Sequence, residues 1–232
     1  MNTFILLAGG QSTRFDGDKL LERFGGVTLP QQAVIFAIAN GAQRICVTLS
    51  HKQIHTDGRA IKHQVLDDLL DVHPVEVTLQ DPKRYGAGAA LSAWQQQGIG
   101  AATVLFADNY YKGILPVMAD ATALYYSTVT RERPSARNLQ LAAVKEGVVI
   151  EKPHTIVSGE YFAGFIKMPA TVWQLLPGLR SSNRDEYDIV DVINGAPVTK
   201  RIRLEDCDIV WDDVTYASDI KRVNEIILCA TS

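Results

Sequence analysis

Thr3-Phe-Ile-Leu-Leu-Ala-Gly-Gly-Gln-Ser-Thr-Arg-Phe15 opens the chain, and Asp18-Lys19 follows a few residues later. The apolar run Thr3–Ala8 has no polar alternation, so it reads as a short strand buried on both faces, the pattern of a parallel sheet. It runs straight into the pair Gly9-Gly10, then hydroxyl residues, then two cations. Glycines let the backbone approach a ligand closely and expose successive N–H donors. Open α/β sheets hold their ligands at the carboxyl ends of parallel strands, where such donors suit an anion. Arg14 adds a forked donor for phosphate and Lys19 a mobile point charge. A dinucleotide fingerprint would need G-x-G-x-x-G and a P-loop G-x4-G-K-[ST]; the loop matches neither. A plain strand–turn with surface charges would not explain why the strand, the glycine pair and both cations come together.

Working outward, strands and helices alternate. A helix is predicted over Leu29–Asn40, closed by Gly41 as a left-handed cap. A strand over Arg44–Leu49 follows, then a helical pattern through Ile54, Ile61, Val65, Leu66 and Leu69, then a strand over Val75–Leu79. Gly88–Gln97 reads as helix and Thr103–Ala107 as another apolar strand. This rhythm implies a parallel sheet covered on both faces. It changes after about residue 123: Leu124–Thr130, Leu139–Ala143, Val148–Glu151 and Tyr161–Lys167 crowd together as strands with antiparallel pairing. Tyr216–Leu228 closes the chain as a helix. The predicted fold is a single-domain, three-layer α/β/α sandwich on a Rossmann-like, mixed, mostly parallel sheet. Its halves are 1–122 and 123–232.

The 232 residues include 23 Lys+Arg and 26 Asp+Glu, a net charge of −3, with 47% hydrophobic residues. These values exclude wholesale disorder and leave no basic field for a nucleic-acid backbone. No apolar run reaches membrane-spanning length and no signal-peptide pattern precedes it, so neither a membrane nor nucleic acid is expected as partner and the expected compartment is the cytoplasm. Cys46, Cys207 and Cys229 are odd in number and widely spaced, against a disulfide framework or a zinc site. His51 and His55 stand four apart without a third ligand and read as surface or helix-start residues. The polar loops 131–137 and 180–185 read as solvated turns.

One acidic position demands explanation from the residues alone. In Leu105-Phe-Ala-Asp-Asn-Tyr-Tyr-Lys-Gly113, Asp108 ends a buried apolar strand, which is costly unless the carboxylate is paired or binds a metal. Mg²⁺ takes carboxylate oxygens together with substrate phosphate oxygens, so Asp108 is the first candidate ligand.

Leu7-Ala-Gly-Gly-x-x-Thr-Arg-Phe15 with the downstream lysine resembles the signature loop of the NTP-dependent nucleotidylyltransferases. This GT-A-like family includes enzymes acting on sugar 1-phosphates, on phosphocholine and on the molybdenum cofactor. The resemblance covers nearly the whole chain. It implies a loop of Leu7, Ala8, Gly9 and Gly10 wrapped around the NTP, with Arg14 and Lys19 on its phosphates; Asp18 stands where many members have proline. Gln80–Ala90 resembles the base-recognition segment, implying that Gln80, Gly86 and Gly88 meet the nucleobase. Asp108-Asn109 and the aromatics after it resemble the Gly-Asp-Asn segment of hexose 1-phosphate members, with Ala107 in place of glycine. Glu151-Lys152-Pro153 is similar to the motif that contacts the sugar phosphate, and Gly164 to a glycine against which the sugar packs. Glu186 falls on a helix resembling the one with acidic residues near the sugar. Val210-Trp-Asp-Asp-Val214 resembles Trp-x-Asp-x-Gly-Thr, making Asp213 the second metal carboxylate, or Asp212 if the register slips by one.

What the resemblance implies is a Mg²⁺-dependent transfer of a nucleotide from an NTP to a phosphorylated small molecule, with pyrophosphate released. Arg14, Lys19 and Lys152 would be the catalytic cations; Asn109, Glu151, Gly164 and Glu186 would hold the acceptor. The Asp-Asn-aromatic and Glu-Lys-Pro segments favour a sugar 1-phosphate. A phosphocholine-type acceptor is the alternative, with Tyr110, Tyr111, Tyr161 and Trp211 available for an aromatic box. An inactive nucleotide-binding regulator is a second alternative, opposed by retention of both aspartates and both loop cations. A glycosyltransferase of similar fold would call for Asp-x-Asp where this chain has Asp108-Asn109-Tyr110. A homo-oligomer remains open.

Overall fold

The computed structural model describes residues 1–9, 19–50, 64–131, 141–152, 159–179, 186–205 and 207–229. The first half contains β1 (Thr3–Ala8), the short pair β2 (Arg23–Phe24) and β3 (Val27–Thr28), α1 (Leu29–Ala39), β4 (Arg44–Leu49), α2 (Gln64–Leu70), β5 (Glu76–Leu79), α3 (Ala87–Ser92) and β6 (Ala102–Phe106). The remainder contains β7 (Asn109–Gly113), β8 (Leu124–Arg131), β9 (Ala143–Lys145), β10 (Val148–Ile150), β11 (Gly159–Met168), α4 (Ile189–Gly195), β12 (Arg201–Glu205), β13 (Ile209–Asp213) and α5 (Asp219–Cys229).

β1 lies inside the sheet, parallel to β4 on one side and β6 on the other, which is why all six of its residues are buried. Its side chains alternate between two cores. Ile5 and Leu7 join Cys46 and Val104 under α3 and α4, where Leu91, Ile189 and Val190 face them. Phe4, Leu6 and Ala8 join Val47 and Leu105 under α1 and α2, against Val34, Phe36 and Leu69. These two apolar faces make the three layers, and the sheet is the mixed, mostly parallel one that the sequence implies. It runs β10-β9-β11-β6-β1-β4-β5, with β8 also on β11 and β12 on β8. The antiparallel part starts where β11 pairs with β6.

α1 begins with a capping box: Gln31 N–H donates to Thr28 Oγ1 at 3.3 Å, and Thr28 N–H donates to Gln31 Oε1 at 2.9 Å. It ends at Asn40, with Gly41 at φ +74°, the predicted left-handed cap. Other boundaries moved. The helix expected over Gly88–Gln97 stops at Ser92, whose Oγ bonds back to the Gly88 carbonyl at 2.7 Å and competes with the ladder. The last helix starts at Asp219 because that carboxylate accepts from the N–H groups of Thr215 and Tyr216, both at 2.9 Å, and holds them in a turn. The strand expected over Leu139–Ala143 begins at Ala143, its first two positions lying outside the described residues. Of the helical pattern around Ile54–Leu69, only Gln64–Leu70 is described. Among the described residues, no helix is long and apolar enough to cross a membrane.

Candidate active site

The carboxyl ends of β1 and β6 open into a cavity of about 490 Å³. Leu7, Ala8 and Gly9 line it from the end of β1. Gly9 lies in close approach to Gln80: a Cβ there would meet Gln80 Oε1. Gln80 follows β5 and is only 5% exposed; its Nε2 donates to the Arg84 carbonyl at 2.6 Å, so the amide is fixed at the cavity wall. Gly86 also lines the cavity, at φ +94°, and a Cβ would sit 2.6 Å from the Tyr187 carbonyl oxygen. Gly88 is not among the lining residues. Its N–H donates to that same carbonyl at 2.7 Å, so its small size serves the docking of 85–88 against 186–188, where Tyr85 bridges Glu186.

The acidic centre comes from two strands that the sequence reading did not pair. β7 and β13 form an antiparallel ribbon in which Asp213 stands opposite Asn109 and Trp211 opposite Tyr111. Asp108, just before β7, and Asp213, at the end of β13, thereby line the same cavity. Asp213 Oδ2 accepts from Thr215 Oγ1 at 2.8 Å. Asp212 has the opposite orientation: it is 2% exposed, and its Oδ2 accepts from Arg222 Nε at 2.6 Å. The register therefore presents Asp213, not Asp212, to the cavity. Lys19 reaches in from the loop after β1; its ammonium pairs with Asp108 Oδ2 and donates to the Val214 carbonyl at 3.0 Å.

On the other side of β6, Glu151 and Lys152 follow β10 and line the cavity beside Ala142 and Phe162. Lys152 Nζ lies 3.1 Å from Glu151 Oε1 and 3.9 Å from Glu186 Oε2. The Lys152 backbone is at φ +41°, a left-handed conformation uncommon outside glycine. Gly164, at φ +73°, sits where the β11–β8 register shifts between Phe162 and Ile166. It lines the cavity, but protein atoms also demand its size: a Cβ would lie 2.6 Å from Trp211 Nε1 and against the Asn109 carboxamide.

Sequence reasoning missed the groups behind these residues. The Arg222 guanidinium joins Asp212, Asp219 (2.5 Å) and the Asp213 carbonyl (2.9 Å). Burial pushes the Asp219 carboxyl up, but the Tyr216 N–H, the Arg222 guanidinium and the Thr215 N–H outweigh it and hold it below the usual range. Tyr111 is fully buried; desolvation drives its phenol far up, so it stays protonated. Tyr110 and Tyr161 are buried too, so of the four aromatics available for a quaternary-amine box only Trp211 reaches the cavity. Periodicity could not have flagged Arg222, which looks like any charge on an exposed helix face.

Arg14 and Gly10 lie outside the described residues, as do His51, His55 and nearly all of the loops 131–137 and 180–185. Cys46 and Cys207 are not in disulfides, and burial pushes the Cys46 thiol up to about 11. Among the described residues, no group of three or more His, Cys, Asp or Glu converges as a metal cage.

The family model described as a MobA-like NTP transferase domain matches residues 4–129. No curated protein sequence matches the chain. Solved structures match it closely in shape. One, described as a putative glucose-1-phosphate thymidylyltransferase from Bacillus anthracis in complex with a sucrose, gives a TM-score of 0.74 at 17% identity, covering 97% of this chain and 95% of that one. An inositol-1-phosphate CTP transferase from T. maritima gives 0.72 at 17%, covering 98% and 95%. A UDP-glucose pyrophosphorylase complexed with UDP-glucose gives 0.73 at 14%, covering 99% of each chain. At these identities the likeness establishes the fold.

Proposed function

Because the chain belongs to the MobA-like NTP transferase family, we propose that it transfers a nucleoside monophosphate from an NTP to a sugar 1-phosphate, giving a nucleotide-sugar and pyrophosphate. The observation that carries this reading is the order of side chains along the sheet. Followed from β10 to β5, the sheet leads past Glu151 and Lys152, then Gly164 on β11, Asp108 after β6, Gly9 after β1 and Gln80 after β5. That order suits an acceptor over the antiparallel half, an NTP over the parallel half, and the reacting phosphates between them. Asp213 crosses from the second half to the centre, so the halves 1–122 and 123–232 share one site.

In the reaction an oxygen of the acceptor's phosphate forms a bond to the α-phosphorus as the bond to the bridging oxygen breaks, and that oxygen leaves with pyrophosphate. A phosphate monoester is already nucleophilic at neutral pH and has no proton to lose, so no side-chain base is required. The obstacles are repulsion between anions and their alignment. Lys19 and Lys152, with Arg14 from the loop, would neutralise and align the phosphates. Two carboxylates completed by substrate phosphates are a donor set that fits Mg²⁺, and Asp108 and Asp213 would hold it. Bound there, the ion would screen the charge on the phosphates. Asn109 lines the cavity beside them, and Glu186 and Glu151 offer acceptors to sugar hydroxyls.

The test is a pyrophosphate-release screen of five NTPs against a panel of sugar 1-phosphates, phosphocholine and inositol 1-phosphate. Release that requires both an NTP and a sugar 1-phosphate is expected. Release with phosphocholine alone, or none with any pair, would sink the reading.

A further inference from the structure

We infer that Asn109 and Trp211 are positioning residues that aim the Asp108 carboxylate into the cavity, and that Gly164 is a glycine because it must leave them room. The inference rests on the two-carboxylate metal site proposed above and adds what holds one of its ligands in place.

A carboxylate at a strand end turns freely about its last bond unless both oxygens are engaged. Lys19 engages Asp108 Oδ2. With the Asn109 amide in the orientation that satisfies both its ends, Nδ2 donates to Asp108 Oδ1 at 3.2 Å and the amide oxygen accepts from Trp211 Nε1 at 2.9 Å. The relay therefore runs from indole N–H to amide oxygen, and from amide N–H to carboxylate. Among neutral side chains, a carboxamide can accept at one end and donate at the other while staying planar. An aspartate at 109 would put a second negative charge beside Asp108, and an apolar residue would free both neighbours.

The surroundings leave this relay little freedom. Asn109 is 7% exposed. The ribbon register sets Asp213 opposite Asn109, so the strand that brings the second carboxylate also brings Trp211, two residues earlier. The Gly164 backbone presses on the relay from the third side: a Cβ there would meet the end of the Asn109 amide that faces Trp211, Trp211 Nε1 and, at 3.1 Å, the Tyr111 hydroxyl. That hydroxyl donates to the Gly164 carbonyl at 2.7 Å and accepts from the Phe106 N–H at 3.0 Å, pinning the irregular part of β11 to the end of β6. Four strands thus meet behind one carboxylate. This gives Gly164 a role independent of any sugar, and engages the Asn109 amide before an acceptor arrives.

The experiment is titration of the intact protein with Mn²⁺ alone, read by the loss of the free-ion EPR signal, beside thermal melting. Trp211→Phe keeps an aromatic ring in the site but removes the N–H together with the indole's second ring, which is why melting is read beside binding; Asn109→Ala removes the relay. Each should weaken Mn²⁺ binding about tenfold or more, the usual effect of deleting a ligand's supporting hydrogen bond. In the double variant the loss should equal that of Asn109→Ala by itself, because Trp211 acts through Asn109. Trp211→Phe should melt within a few degrees of the parent. Wild-type Mn²⁺ affinity in both single variants, with binding lost in Asp108→Asn, would overturn the positioning role and leave the metal site standing. Additive losses in the double variant would likewise overturn the relay. Unchanged binding in Asp108→Asn and Asp213→Asn would overturn the metal reading itself.

Discussion

Successive side chains on a strand point to opposite faces, and at the end of β13 that alternation separates two carboxylates. Asp213 faces the cavity, while Asp212 faces α5 and the Arg222 guanidinium. The same isosteric change should therefore do different things one residue apart. Asp213→Asn is expected to cut turnover about a hundredfold or more, equivalent to roughly 3 kcal/mol of transition-state stabilisation, with little change in urea midpoint. Asp212→Asn should cost about 2 kcal/mol of stability, because it removes a charged hydrogen-bond partner from a buried position. If both variants lose activity alike at unchanged stability, the assigned orientation is incorrect. Asp219 makes the cluster around the Arg222 guanidinium sensitive to acid. Its carboxyl is held below the ordinary value of about 3.9, so its contribution is complete above that value and disappears as pH falls through the depressed one. Urea unfolding of wild type and Asp219→Asn should show a stability gap at pH 7 that narrows below about pH 4. A gap that is constant with pH would mean that the Asp219 charge contributes nothing. The sequence reading left Asp212 and Asp213 as alternatives for a physical reason: alternation says that neighbours point apart, but not which one points inward.

At the scale of elements, glycines show where chains cross closely. Gly86 begins α3 at φ +94° with the Tyr187 carbonyl against it, whereas Gly98 is at φ +65° with nothing within 4 Å. Gly98→Ala should cost about 1–2 kcal/mol for the left-handed backbone alone. Gly86→Ala should cost more, since the chain 186–188 must also move; equal losses in urea unfolding would remove the case for close docking. The buried strands β1, β4 and β6 were legible because an apolar run between turn signals has few alternatives. The β2–β3 pair carried a readable signal that was missed, the dipeptide Gly25-Gly26 at φ +58° and +94° between Arg23-Phe24 and Val27-Thr28. β12, Arg-Ile-Arg-Leu-Glu, was missed because an exposed strand carries no continuous apolar run. The β7–β13 ribbon was not legible at all. Nothing local in Asn109–Gly113 points to a partner about a hundred residues away, yet that pairing assembles the acidic centre.

For the molecule as a whole, the candidate residues were named from motifs and their order, while the reasons for several of them emerged only from packing. Gly88 serves the Tyr187 carbonyl, Gly164 the Asn109–Trp211 relay, and Lys19 neutralises Asp108. Motif order works because Gly9, Gln80, Asp108 and Glu151-Lys152 each follow a strand of the main sheet, and the strand order then sorts them in space. That sorting has a kinetic consequence. Lys152 and Gln80 stand beyond opposite ends of the strand path, after β10 and β5 respectively, with β6 and β1 between them. A substrate that spans the path should therefore sense them separately. Lys152→Ala removes a cation from the acceptor side and should raise the acceptor KM about tenfold or more, roughly 1.4 kcal/mol, leaving the NTP KM within about twofold. Gln80→Ala removes an amide from the nucleotide side and should raise the NTP KM or blur discrimination among bases, leaving the acceptor KM unchanged. The reverse pattern would mean that the substrates lie the other way round. Parallel changes in both constants would mean that the two side chains act through the fold, because a static cavity wall at one end cannot report on a ligand bound at the other.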